Sequence, residues 1–418
     1  MSTTFNFGAK QWATKEGSIL AYNDENNNFK PLPFDFTRSS SATRVNKDGL
    51  IEVVGSNEPR VDYLNNADGH LLLEPQRKND VPYSEDISGY QNFGSTDSSN
   101  VAISPDGSQN ASSFQGDGSY DQALLSSDLM VLSSSGSYTF SVFAKKGVNK
   151  YIQLFANEFT GATNVEGYFD LENGTTPTSG AKIEDYGNGW WRCSIVVTID
   201  AGDLSGRISI RTTPSTSDFR WTPFSANIGQ TIYVYGFQVE QGSYATSYIP
   251  TSGSSVTRAA EDAMSLVLPS SEILDNSSST VYLNFQALAN DITNRWISFE
   301  ETTTATDNEF EIRLSAGSNL MQIVSRSAAG GQDVVLSNTL SDITANNKVA
   351  IKYDGLNWAF FVNGVNVDTE VASRLFNDTL QKIRFARYNN TNSFYGRVFN
   401  LKIYNTALTD SELIALTS

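Results

Sequence analysis

The feature that most constrains the fold is a period of two. Apolar and polar residues alternate through Tyr138-Thr139-Phe140-Ser141-Val142-Phe143-Ala144 and again through Ile195-Val196-Val197-Thr198-Ile199. Side chains alternate faces along a strand, so such runs mark half-buried β-strands. Tyr151 to Ala156, Arg207 to Arg211 and Thr231 to Glu240 read the same way, with Gly-, Asn-, Ser- and Thr-rich turns between them. No stretch between residues 81 and 260 carries a sustained i, i+3, i+4 apolar stripe. Strands recur from residue 263 onward, at Thr280 to Ala287, Trp296 to Glu300, Glu309 to Leu314, Met321 to Ser325, Lys348 to Tyr353, Trp358 to Val362, Lys382 to Arg387 and Arg397 to Tyr404. Asn363-Gly364 predicts a two-residue hairpin, because both positions tolerate positive φ. One helix start is legible, the capping box Thr409-Asp410-Ser411-Glu412 ahead of Leu413, Ile414 and Leu416.

Residues 1–80 read differently. Their apolar density is low, Asp24-Glu25-Asn26-Asn27-Asn28 favours turns, and only Leu50 to Val54 and Leu71 to Leu73 form short apolar runs. The expectation is an extended, strand-poor arm that orders by packing on something else. The small polar string Thr251-Ser252-Gly253-Ser254-Ser255 has the composition of a linker. The expected fold class is therefore all-β: an arm over 1–80, then β-sandwich domains in series over 81–260 and 263–418.

Composition narrows the function classes. The chain has 418 residues, two to three domains by size. It carries 46 acidic against 29 basic side chains, a formal charge of −17, with no Lys/Arg run to meet phosphates. Nucleic-acid binding is excluded on that ground. No apolar stretch approaches the roughly 18 to 20 residues of a bilayer span. Met1-Ser2-Thr3-Thr4-Phe5 has neither a basic nor an apolar segment of a signal peptide, so retention in a cytoplasm is expected. With one cysteine, Cys193, and one histidine, His70, neither an intrachain disulfide nor a Cys/His zinc cluster can be assembled. A Ser-His-Asp triad would have to use His70, which sits in a turn leading into a strand and reads as an ordinary surface histidine.

Three stretches also resemble known proteins. Phe34-Asp35-Phe36-Thr37-Arg38-Ser39-Ser40-Ser41-Ala42-Thr43-Arg44-Val45-Asn46, Gly49 to Glu52, Pro59-Arg60-Val61-Asp62-Tyr63 and Leu71 to Gln76 together resemble the leader of tailed-bacteriophage fibre and head-spike proteins. Tyr83-Ser84-Glu85-Asp86, Pro105-Asp106-Gly107, Gly187 to Ser194, Gly236 to Gly242 and Ala245 to Thr251 follow an order similar to the carbohydrate-binding-module-like jelly roll of the same proteins. Tyr353-Asp354-Gly355, the Asn363-Gly364 hairpin and Leu401 to Asn405 resemble a laminin-G or concanavalin A-like lectin domain.

The resemblance implies a non-enzymatic virion surface protein, a fibre or spike subunit assembled in the host cytoplasm. It would be a homotrimer, would contact other virion proteins through the arm, and would adsorb to host-cell glycans. The alternative is a capsid or tail decoration protein whose sandwiches make only protein contacts; a polysaccharide depolymerase is a third reading. It implies no cofactor other than a structural calcium ion, for which Glu85 and Asp86 at the start of the jelly roll and Glu240 at its end hold the expected positions.

Glycan contact calls for exposed aromatics beside hydrogen-bonding groups. Strand parity puts Trp296 outside its sheet, whereas Trp358 and one of Trp190 and Trp191 fall in the core. Trp221 lies in a Pro-containing loop with Arg220 and Phe219. Trp221, Arg220, Phe219 and Trp296 are thus the candidate sugar contacts. Glycosidases need two carboxylates held in a sugar cleft. Glu300-Glu301, Asp117 with Asp121, and Glu309 with Glu311 are acidic pairs; the last share a strand face that reads as a solvated edge.

Overall fold

The computed structural model describes residues 2–6, 12–15, 18–23, 28–31, 34–119, 124–127, 129–159, 165–216, 228–265, 274–275, 277–301, 309–315, 317–326, 331–375, 380–387 and 391–418. The fold is all-β. Among the described residues a single α-helix, Asp410–Thr417, stands beside the strands. The chain divides into two compact units, each built from separated segments. One comprises Met1–Ser41, Val54–Pro75 and Ala259–Ser418; the other comprises Ala42–Val53 and Gln76–Arg258.

The second of these is an antiparallel sandwich. One sheet runs in the order Ser95–Ala102, Ala111–Gly116, Ile232–Gln241, Gly136–Lys146, Trp190–Ile199, Lys182–Asp185. Its partner sheet runs Gln91–Phe93, Leu124–Ser126, Ser205–Thr212, Tyr151–Asn157, Val165–Asp170. The alternation has the consequence expected of it. Phe140 faces Ile195 and Val142 faces Cys193 across the register, and all four join Ile152, Leu154, Ile208 and Ile210 in one core. On the opposite face of the central strand, Arg192 lies over the Phe143 ring, its guanidinium bonded to Thr246 O and Ser141 Oγ. Trp190 is buried with its indole N–H on Ile103 O, while half-buried Trp191 donates to Leu171 O.

The other unit is also a sandwich. Its larger sheet runs Val365–Val371, Asn357–Val362, Asn347–Asp354, Ser278–Ala287, Gly396–Tyr404, His70–Leu73, Val61–Asp62, and Ser2–Asn6 also pairs with Gly396–Tyr404. The smaller runs Gln332–Thr339, Leu320–Arg326, Glu309–Leu314, Arg295–Glu300, Lys382–Arg384, Asp262–Ser265, Phe34–Thr37. Leu283, Phe285, Ile297, Phe299, Phe310, Ile351, Phe360 and Trp358 fill the space between them. Asn363 and Gly364 both have positive φ, 46° and 84°, as the hairpin requires. The helix has the full capping box, and Leu413 buries itself against Tyr282, Ala350 and Phe361.

The extended arm is not what residues 34–80 form. Phe34–Thr37 pairs with Asp262–Ser265, and His70–Leu73 pairs with the strand that ends at Tyr404. Val61, Leu71 and Leu73 sit in the core of the first-described segment set. Ala42–Val45 and Ile51–Val54 make a hairpin whose Thr43 hydroxyl donates to Tyr248 O. The low apolar density has a physical explanation: buried charges occupy positions where aliphatic residues would normally stand. Arg60 is fully buried between Glu74 (2.8 Å) and Glu261 (2.5 Å), and Arg38 reaches Glu261 at 2.8 Å. His70 is likewise buried rather than a surface histidine, with burial first and Arg397 second holding its pKa well below the usual range.

Candidate functional site

The second unit carries a trough whose floor is built by the segment after Arg77–Asn79, the strand paired with Val256–Arg258. Asn79 locks this segment. Its amide nitrogen donates to Phe237 O and Ile249 O, and its oxygen accepts from the Val81 and Val239 backbone N–H groups. Farther on, Thr251 Oγ1 donates to Val81 O, Ser84 N to Thr251 Oγ1 (3.0 Å), Phe237 N to Ser84 O and Gly253 N to Pro82 O. Backbone pinned on both sides leaves Tyr83 49% exposed on a rigid base, an arrangement that costs little ordering entropy when a ligand packs on it.

Tyr83, Asp86 and Ser88 line two adjoining cavities. One, of about 630 Å³, is bounded by Lys78, Val81, Pro82, Tyr90, Leu129 and Met130 among others. The other, of about 500 Å³, has Glu85, Ser99, Asn100, Asn110 and Ser252 in its wall. Both fall in the size range of small-molecule sites.

The wall of the smaller cavity is charged and braced. Glu85 Oε1 accepts from the hydroxyls of Tyr235 (2.9 Å) and Tyr248 (3.0 Å), and Tyr235 also meets Asp106 Oδ2 at 3.0 Å. Burial, then these carboxylates, pushes the Tyr235 phenol far up, so it stays a proton donor. Asp106 feels an upward push from burial that hydrogen bonds from Asn110, Ser104, Ser108 and Tyr235 outweigh, leaving its pKa lowered. Asp86 is lowered by the Ser88 hydroxyl and backbone N–H, so it is ionised at neutral pH. Asn110 Oδ1 is buried without a hydrogen-bond partner. Acceptors therefore converge beside an exposed ring, the combination that hydroxyl-rich ligands use.

The sequence candidates fare unevenly. Glu85 and Asp86 belong to the trough. Glu240 is bonded outside the trough: Gln238 Nε2 (2.6 Å), Thr246 N (2.9 Å) and Thr246 Oγ1 (2.5 Å) donate to its two oxygens. A carboxylate satisfied by that many donors has little left to offer a cation. Among the described residues no group of three His, Cys, Asp or Glu is arranged to hold a metal. Trp221, Arg220 and Phe219, as well as Asp121, lie outside the described residues.

Trp296 is half-buried on the outer face of its sheet, but its ring is engaged. The guanidinium of Arg313, its cross-strand partner, stands 4.3 Å from the ring centroid and that of Arg387 4.7 Å. A sugar stacking there would compete with two cations. Beside it, Glu309 and Glu311 are not a solvated edge. Both are buried, Glu311 pairs with Arg313, and Glu309 lies 3.6 Å from Arg326. Glu300 is held by Arg384 at 3.0 Å.

Sequence reasoning missed Tyr83 as a contact. The signal available was an aromatic two residues ahead of the adjacent carboxylates Glu85 and Asp86, outside any period-two run.

Comparison with known proteins adds the fold of the other unit's longest segment. No curated protein matches the chain. Solved structures similar to it include the CBM40 module of the Ruminococcus gnavus IT-sialidase (17% identity, 34% of this chain and 83% of that one, TM-score 0.30). Another is a leech intramolecular trans-sialidase (21%, 34% and 23%, TM-score 0.30). A third is a SAP-like pentraxin from Limulus polyphemus (11%, 34% and 70%, TM-score 0.27). At this similarity they carry no functional argument. Residues 260–414 match the Laminin_G_3 model, described as the concanavalin A-like lectin/glucanases superfamily, and this stretch is a domain of that lectin-like fold.

Proposed function

We propose that the chain is a non-enzymatic structural subunit of a tailed-bacteriophage virion, a fibre or spike that adsorbs to glycans on the host surface. The observation that carries the glycan reading is the rigidly mounted Tyr83 beside two cavities, with Asp86 lining both and Glu85 and Asn110 in the wall of the smaller. The lectin-like fold of residues 260–414 supports it, and the leader from Phe34 to Gln76 supports the phage context. The non-enzymatic reading is supported by ion pairs that hold one member of each of two acidic pairs, Glu300 with Arg384 and Glu311 with Arg313. A homotrimer suits an axially symmetric fibre. Attachment through residues 1–80 would then use segments that belong to both compact units, not a detachable arm.

Glycan-array binding and competition with phage adsorption by the purified protein test this reading. Saturable binding that Tyr83→Ala abolishes is expected. Tight binding to particles with no glycan or host binding would make the protein a decoration subunit, and shortening of a host polysaccharide on prolonged incubation would make it a depolymerase.

A further inference from the structure

The two ends of the trough differ in lining, although Asp86 and Ser88 border both. At one end stand Val81, Pro82, Tyr90, Leu129, Met130 and Val131, with Leu129 53% and Val131 75% exposed. At the same end Lys78 Nζ and Asp80 Oδ1 form an ion pair at 2.6 Å. The other end presents Glu85 and Asp86, with Asn110 in its wall. A plain hexose offers no methyl group for the first end. Exposed aliphatic side chains reward burial of one, because its apolar surface leaves water together with theirs. An amide beside that methyl would find a donor for its carbonyl in Lys78 and an acceptor for its N–H in Asp80.

Charge decides what is refused. Lys78 is neutralised by Asp80, which leaves the carboxylates of Glu85 and Asp86 to set the sign of the trough in a chain of formal charge −17. A ligand carboxylate would bring like charge against them and lose its hydration without a partner. Because the cavities join through Tyr83, Asp86 and Ser88, more than one sugar ring fits between the two ends.

We propose that the trough binds a neutral oligosaccharide containing an N-acetylated hexosamine, with the acetamido methyl against Leu129 and Val131, the Tyr83 ring under a sugar face, and hydroxyls toward Glu85 and Asp86. This rests on the glycan reading of the same site and names its ligand class. Acidic saccharides are excluded by the trough itself.

Titration calorimetry of the full-length protein with tri-N-acetylchitotriose, cellotriose, sialyllactose and a fucosylated neutral trisaccharide tests it. The acetylated trimer is expected to bind roughly 10- to 100-fold tighter than cellotriose, the span one well-buried methyl-sized group commands, with sialyllactose weakest. Leu129→Asp, at an exposed position, should reduce the acetylated trimer to the affinity of cellotriose with the melting temperature unchanged, and Tyr83→Ala should weaken both. Equal binding of acetylated and plain trimers, or preference for the sialylated or fucosylated sugar, would overturn the ligand class while leaving the glycan reading intact. Failure of all four to bind, with no other sugar bound on the array, would overturn both.

Discussion

Arg60 and Glu261 are 201 residues apart in sequence, yet Arg60 Nε lies 2.7 Å from Glu261 Oε1 in a site that water scarcely reaches. Glu261 also receives Arg38 Nη1 and the backbone N–H of Glu74, so one carboxylate gathers three stretches of chain. A buried pair is costly to form and far more costly to break, because the surviving charge keeps its desolvation penalty.

Glu261→Gln should therefore destabilise the protein by about 3 kcal/mol, part of the loss being spared because Arg60 keeps Glu74. Denaturant melts of the two forms check this. By the same reasoning a chain lacking residues 1–80 should not retain the fold of the unit that contains Glu261, since Val61, Leu71 and Leu73 leave its core together with both arginines. A native near-ultraviolet spectrum and cooperative melting of that segment would contradict it.

Glu309 should give the stability a pH dependence. Burial, then Glu311, pushes its pKa from 4.5 up to about 7, against the pull of Arg326, Arg387 and Arg313. The folded state thus holds the proton more tightly than the unfolded chain. Its contribution is fully present below about pH 4.5, falls as pH rises through 7, and is then flat. Glu309→Gln should remove that slope and raise stability at pH 8 by roughly 1 to 3 kcal/mol. Thermal melts from pH 4.5 to 8 in both proteins decide, and parallel curves would refute the assignment.

Two aromatic truncations should separate ligand contact from packing. Tyr83→Ala is expected to change stability by no more than about 0.5 kcal/mol, since the ring is half exposed. Trp190→Ala should cost about 3 to 5 kcal/mol, because that indole is 1% exposed and bonded to Ile103 O. Measuring glycan binding alongside the melts should show loss in the first variant at unchanged stability.

Gly174 offers a backbone test. Its φ is +64°, and a Cβ there would fall inside the Trp191 indole, which is itself anchored on Leu171 O. Gly174→Ala meets both the left-handed strain and the overlap, so a loss of about 2 to 4 kcal/mol is expected in urea melts. A neutral result would mean that the Trp191 ring moves away freely.

The sandwiches were legible because strand parity is local: Phe140, Val142, Ile195 and Ile297 announce their faces within a few residues. The capped helix and the Asn363-Gly364 hairpin were legible for the same reason. Residues 34–75 were not, since Arg38, Arg60 and Glu74 look solvated until Glu261, far along the chain, is brought to them. The trough was half legible. Glu85 and Asp86 stood out as carboxylates, but the wall that gives Tyr83 its neighbours comes from Ser127, Leu129, Met130 and Val131 and from Thr251, Ser252 and Ser255, whose approach no local pattern encodes.

The strand His70–Leu73 bonds to a strand that begins only at Gly396. On a ribosome adding about 5 to 20 residues per second, the early strand waits roughly a quarter of a minute to a minute before its partner exists. Throughout that interval the segment Gln76–Arg258 is free to complete its own sandwich first. Synthesis order thus makes the inserted unit the earlier folder, and leaves Leu71 and Leu73 as the apolar surface that a nascent-chain chaperone would have to shield.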